Sequence, residues 1–220
     1  MLISISHRFI FVANSKSASS SVETALRPFC EIERGGAPNR KHIGMPGILN
    51  VYDFLFREER LARHTFFAFG VMREPLDWIG SWYRYRAGNR KLPTALPAGM
   101  TFAEFWERQD WTFRDRAGQK NLQSRRFLGA DGEPLVDMIV PYDRVAEDLS
   151  KIADAMDLDL KLPRRNRSRI TERPSLIPDF LESDLRAHFA EDYALYDRLD
   201  AVNRTAWERL QETRAYAEAF

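Results

Sequence analysis

Cysteine is almost missing from this chain: Cys30 is the only one in 220 residues. An internal disulfide and a thiolate metal cage are both excluded, and Cys30 reads as a small core residue. The four histidines are scattered rather than spaced as ligands, so no metal is expected. Excess charge is missing too. Thirty-three basic residues stand against thirty-two acidic ones, a formal charge of +1, which argues against broad electrostatic binding to nucleic acid and requires any strong anion site to be local. No apolar stretch is long enough to cross a bilayer, and Met1 to Arg8 lacks a basic region ahead of an apolar run. The chain is therefore expected to have no transmembrane segment and to stay in the cytoplasm. Internal repeats, low-complexity tracts and glycine- or serine-rich linkers are likewise absent. What remains is 44% hydrophobic, enough for one substantial core, so residues 1–220 read as a single α/β domain.

The segment Phe11-Val12-Ala13-Asn14-Ser15-Lys16-Ser17-Ala18-Ser19-Ser20-Ser21-Val22-Glu23 carries the most information. Phe9 to Ala13 is β-prone, whereas Val22, Ala25, Leu26 and Phe29 recur at helical spacing, so strand, loop and helix follow one another. Ser20 and Glu23 have the spacing of a capping box. The free N–H groups of a first helical turn, with Lys16 beside them, make an anion site. The order differs from the nucleotide-triphosphatase loop, whose lysine follows its glycines; here Lys16 precedes the small residues.

A second motif begins with the unbroken apolar run from Phe66 to Met72, which reads as a buried parallel strand, and Pro75 opens a helix behind it. On that helix Leu76, Ile79, Gly80 and Tyr83 share one face, while Ser81 lies on another. Arg73 stands at the strand's carboxyl end, where open α/β sheets bind ligands. A guanidinium there and a hydroxyl eight residues later can jointly hold a terminal phosphate, one through its fork and the other by a further hydrogen bond.

Together the two motifs resemble the PAPS-dependent sulfotransferases, in their carbohydrate-modifying branch. Lys16-Ser17-Ala18-Ser19-Ser20-Ser21 is similar to the family's 5′-phosphosulfate loop, Lys-x-Gly-(Ser/Thr)-(Ser/Thr), with Ser15 where proline is frequent and Ala18 where glycine is usual. Alanine resists the positive φ that glycine accepts. Arg73, Pro75, Ser81 and Tyr83 or Tyr85 resemble the family's 3′-phosphate site. Leu135 to Val145, and the helix after it carrying Leu149, Ile152, Ala153 and Met156, are similar to the late strand and helix of that fold. Leu162 to Arg169 looks like its closing loop, and the region from Phe180 to Leu199 like its C-terminal helices.

The resemblance implies a central, mainly parallel sheet flanked by helices, a P-loop-like strand-loop-helix and a helical C-terminus, which is the sulfotransferase fold. It implies transfer of a sulfuryl group from 3′-phosphoadenosine 5′-phosphosulfate (PAPS) to an acceptor hydroxyl or amine, carbohydrate being the expected acceptor, with no metal. Roles follow by the same route. Lys16 stabilises the departing oxygen; Ser17, Ala18, Ser19, Ser20 and Ser21 bind the 5′-phosphosulfate; Arg73 and Ser81 hold the 3′-phosphate; Ser168 or Arg169 touches that phosphate from the late loop. His42 is the expected base, since a histidine titrates near neutrality. Golgi relatives carry a membrane anchor that is not seen here, which points to a soluble, bacterial-like form.

His64 is the alternative base, ranked lower because it precedes the Phe66 strand, at the wrong end for the chemistry. His7 and His188 read as structural. Asn121 and Gln123 are candidate contacts to nucleotide or acceptor. Trp78, Trp82, Tyr83 and Tyr85 read as core packing rather than a sugar platform. Two other functions compete with the transferase. A nucleotide kinase or phosphatase of the P-loop class is disfavoured by the missing Gly-Lys-Ser/Thr, and a non-catalytic nucleotide-binding module is left open by Ala18.

Overall fold

Every residue of the strands Phe9–Val12 and Phe67–Met72 is buried, yet the two faces of each strand lead to different cores. Phe9, Phe11, Phe67, Phe69 and Val71 enter one; Ile10, Val12, Ala68 and Met72 enter the other. A strand with two buried faces has no polar side to present, which is why both segments read as unbroken apolar runs. The structure is a computed structural model and describes residues 1–160 and 176–219, so Ser168 and Arg169 lie outside the described residues.

Five strands form one sheet in the order β3-β1-β2-β4-β5, where β1 is Leu2–Ser4, β2 Phe9–Val12, β3 Ile32–Glu33, β4 Phe67–Met72 and β5 Met138–Pro141. β2 pairs parallel with β4 and β4 parallel with β5, while β1 pairs antiparallel with both β2 and β3. β1 alone runs against the other four, so the sheet is mixed and mostly parallel. The carboxyl ends of β2 and β4 therefore lie side by side, Val12 being paired with Gly70. Gly70 is required there: a Cβ would stand 2.4 Å from Phe127 Cε1 and 2.9 Å from the Val12 carbonyl oxygen.

Helices cover both faces. Ser19–Leu26, Val145–Ala155 and Ala206–Glu218 close the first core through Val22, Leu26, Leu149, Ile152 and Leu210. Met45–Val51 and Ala190–Tyr196 close the second through Met45, Ile48 and Leu195. Each such side chain, fully buried, contributes roughly 1.5–3 kcal/mol. A third, aromatic cluster lies under the helix Pro75–Gly88, where Trp78, Ile79 and Trp82 pack with Phe105 and Phe113 and with Leu185 of Asp179–His188. Pro75 and the Glu74 carboxylate, which accepts from the Asp77 N–H at 2.6 Å, start that helix at the point where β4 ends. Among the described residues no helix is long and apolar enough to cross a membrane.

Candidate functional site

Between β2 and the helix Ser19–Leu26 the backbone turns through two left-handed residues, Lys16 at φ 61° and Ala18 at φ 57°. Neither is glycine, so each costs about 1–2 kcal/mol, and Ala18 takes up the conformation an alanine resists. The turn exposes donors. The N–H groups of Ser21 and Val22 both bond to the Ala18 carbonyl, at 2.9 and 3.2 Å, and no side chain caps the turn ahead of them. A turn with residues in the left-handed region, placed at an uncapped helix start, has the backbone form of an anion nest, with the helix dipole behind it.

The capping box does not form. The residue ahead of the helix is Ala18, with no side-chain cap, and Glu23 is drawn away by two cations: the Met1 ammonium at 3.1 Å and Lys41 Nζ at 2.5 Å. A buried carboxylate gains more from a charge-assisted pair than from a neutral N–H, so local spacing loses to tertiary contact. The first turn stays open as a result.

Beneath the loop lies a buried amide brace. Asn14 Nδ2 shares its two hydrogens among three acceptors, Ser17 Oγ at 3.0 Å, the Val71 carbonyl at 3.1 Å and Gln123 Oε1 at 2.9 Å. Gln123 also grips the backbone of Arg73, accepting from its N–H at 3.1 Å and donating to its carbonyl at 2.8 Å. Asp192, whose pKa burial raises, in turn accepts from the N–H groups of Gln123 and Ser124 at 3.0 and 2.8 Å. Gln123 was expected to contact a ligand; it is wholly buried and instead ties the loop to the end of β4. Asn121 is likewise occupied, donating to the carbonyls of Trp111 and Thr112. Ser17 is buried with its hydroxyl turned to Asn14, so of the loop residues it offers only its N–H, while Ala18, Ser19, Ser20 and Ser21 line a cavity of about 740 Å³.

Arg73 and Ser81 line the same cavity. Arg73 is buried at the carboxyl end of β4, where its Nε pairs with Asp77, its Nη1 lies 3.4 Å from the Lys16 carbonyl and its guanidinium stands 4.3 Å from the Tyr142 ring centre. Asp77, Ser81 and Arg84 occupy successive turns of one helix face, and Arg84 is 3.5 Å from the second oxygen of Asp77. Arg84 also lines the cavity and was not foreseen, although that spacing from Asp77 and Ser81 marks it. Of the two tyrosines left open, Tyr83 is tied into the core through its hydroxyl bond to the Met100 carbonyl at 2.6 Å, and Tyr85 faces the cavity.

Lys16, His42, Arg73 and Arg84 therefore meet around one cavity, and no Asp or Glu among the described residues lines it. The crowding has a cost for Lys16: burial first, then Arg73 and Arg84, push its pKa down to about 8. Burial likewise pushes His42 down to about 4, against the raising effect of its bond to the Ala13 carbonyl, with Lys41 lowering it further. That bond, 3.0 Å from Nδ1 to an oxygen that only accepts, makes Nδ1 the protonated nitrogen and leaves the lone pair on Nε2. The expectation of a histidine titrating near neutrality is thus replaced by one that is neutral well into the acid range.

The other histidines lie elsewhere. His64 is exposed just before β4, at the opposite end of the strand, with its ring against Tyr216. His188 is packed among Trp106, Phe113 and Phe189 and is pushed down to about 4 by burial. Cys30 is half-buried, with its Sγ donating to the Leu26 carbonyl at 3.2 Å. Among the described residues no three His, Cys, Asp or Glu side chains gather as a metal site. No family model, no curated protein and no solved structure matches this chain.

Proposed function

We propose that the cavity binds a nucleotide with a phosphate at each end of its ribose and that the protein is a PAPS-dependent sulfotransferase. One observation supports the reading: the Lys16 loop and the Arg73, Ser81 and Arg84 group share a cavity that no acid among the described residues lines. The loop is assigned to the 5′-phosphosulfate and the second group to the 3′-phosphate, which distinguishes this donor from ATP and AMP.

In the transfer step the acceptor oxygen or nitrogen bonds to sulfur while the bond from sulfur to the 5′-phosphate oxygen breaks. The electron pair stays on that oxygen, where the Lys16 ammonium and the loop N–H groups stabilise the growing charge. The acceptor proton passes to His42 Nε2, whose tautomer the Ala13 carbonyl holds. A bound polyanion raises the proton affinity of His42 above its value in the empty cavity, which favours this role once the donor is in place. Carbohydrate is the acceptor class favoured by the resemblance.

Incubation with donor labelled in the sulfate, against a panel of glycans, phenols and amines, tests the reading. Wild type is expected to label an acceptor and Lys16→Ala to label it far more slowly. Donor binding without transfer to any member of the panel would instead make the chain a non-catalytic nucleotide-binding module, and magnesium-dependent ATP turnover would return it to the kinase class.

A further inference from the structure

Lysines that neighbouring acids hold in this protein have lost part of their use to an anion: Lys41 pairs with Glu23 at 2.5 Å and Lys151 with Glu147 at 2.6 Å. Lys16 is held differently. No carboxylate among the described residues reaches it; its Nζ lies 3.7 Å from the ring centre of Tyr85 and 5.8 Å from that of Trp82. The rings are themselves braced, Trp82 standing edge-on to Tyr85 at 6.1 Å and to Trp111 at 4.9 Å. An ammonium drawn out of water needs a compensating partner, and a carboxylate would supply one only by cancelling the charge that an incoming anion requires. The face of an aromatic ring attracts the cation through its quadrupole and leaves the full charge in place. Arg73 repeats the arrangement on the ring of Tyr142, although it also has Asp77.

We propose that Tyr85 is a positioning residue for Lys16, its ring carrying the ammonium inside the cavity and keeping it there when an anion binds. Its relevance to catalysis rests on the sulfotransferase reading; the positioning itself does not. The charged and titratable groups that share the cavity with Lys16 are Arg73, Arg84, His42, Tyr85 and Tyr142, and both arginines act to drive the proton off Lys16. The ring opposes them. Tyr85 is 40% exposed on the helix Pro75–Gly88, so its replacement removes little core.

The chain has six lysines, few enough for NMR titration of protein carrying ¹³C-labelled lysine, with Lys16→Arg to assign the signal. Without any ligand, Tyr85→Phe is expected to titrate with wild type, because the ring and not the hydroxyl matters, and Tyr85→Leu to titrate at lower pH. In a second arm, calorimetry with adenosine 3′,5′-bisphosphate at pH 7 should show Tyr85→Phe unchanged and Tyr85→Leu weaker by roughly two- to fivefold. Three results would overturn the proposal: Tyr85→Leu titrating as wild type does, Tyr85→Phe behaving like Tyr85→Leu, or Tyr85→Leu binding the nucleotide more tightly. If wild type binds no bisphosphate, the nucleotide reading falls, and the ligand-free titration still decides the role of Tyr85.

Discussion

The two edges of the sheet treat their polar groups in opposite ways. At the amino edge Asp137 is shared by Arg63 at 3.0 Å and Arg209 at 3.4 Å and accepts from the Ala68 N–H at 2.7 Å, while Arg63 also donates to the carbonyls of Phe66 and Leu135. Cations, acid and backbone close on one another. At the carboxyl edge no side chain caps the helix start after Ala18, and Lys16 rests on a ring rather than an acid. Donors that face a cavity stay hydrated until a ligand displaces the water, so they remain available to it. The amino edge holds the protein together, and the carboxyl edge keeps its donors available.

If that division is right, the same kind of substitution gives opposite results at the two edges. The largest effect is expected for His42→Ala, which should keep nucleotide affinity and lower transfer roughly a hundred- to ten-thousandfold. Because His42 is neutral above a pKa of about 4 in the empty site, the acid limb of kcat/KM that it causes should lie near pH 4 rather than near neutrality. A pH–rate profile that keeps its limb in the variant would move the base elsewhere. Lys16→Ala comes next, with single-turnover transfer down roughly a hundred- to a thousandfold and bisphosphate affinity reduced by less. Equal losses in the two would make Lys16 a binding residue only.

Asp137→Ala is the counterpart at the amino edge. It should lower unfolding stability by about 2–3 kcal/mol in urea titration, since two arginines lose a shared, partly buried acid, and leave bisphosphate affinity where it was. A change in affinity with no change in stability would erase the distinction between the edges. The smallest effect is a pH dependence of binding. Lys16 is the cation with a pKa of about 8, and its protonated form attracts the anion more strongly, so affinity should fall as pH rises through 8. Lys16→Ala should flatten that fall, which calorimetry across the range would reveal.

Much of this contrast was legible in the residues. β2 and β4 declare themselves by apolar residues on both faces, the helix start by Pro75, and the turn between β2 and its helix by small residues after Lys16. Long-range partners were not legible. Glu23 satisfies the local rule for a capping box with Ser20, yet it is captured by the Met1 ammonium, 22 residues away. Gln123 looks like any loop amide until the fold brings it to Asn14 and Arg73, which are 109 and 50 residues distant. β1 and β3, of three and two residues, are too short for periodicity to reveal, and only pairing with each other and with β2 makes them strands. Arg84 was within reach, since Asp77, Ser81 and Arg84 have the spacing of one helix face.

The central claim is that the carboxyl edge holds two phosphates at once, and titration calorimetry with adenosine 3′,5′-bisphosphate and AMP tests it on wild type and Arg73→Ala. A buried charge-assisted contact is worth about 1.5–3 kcal/mol, so wild type should bind the bisphosphate at least roughly tenfold more tightly than AMP, and Arg73→Ala should scarcely distinguish them. Equal affinity of wild type for the two nucleotides would contradict the sulfotransferase reading.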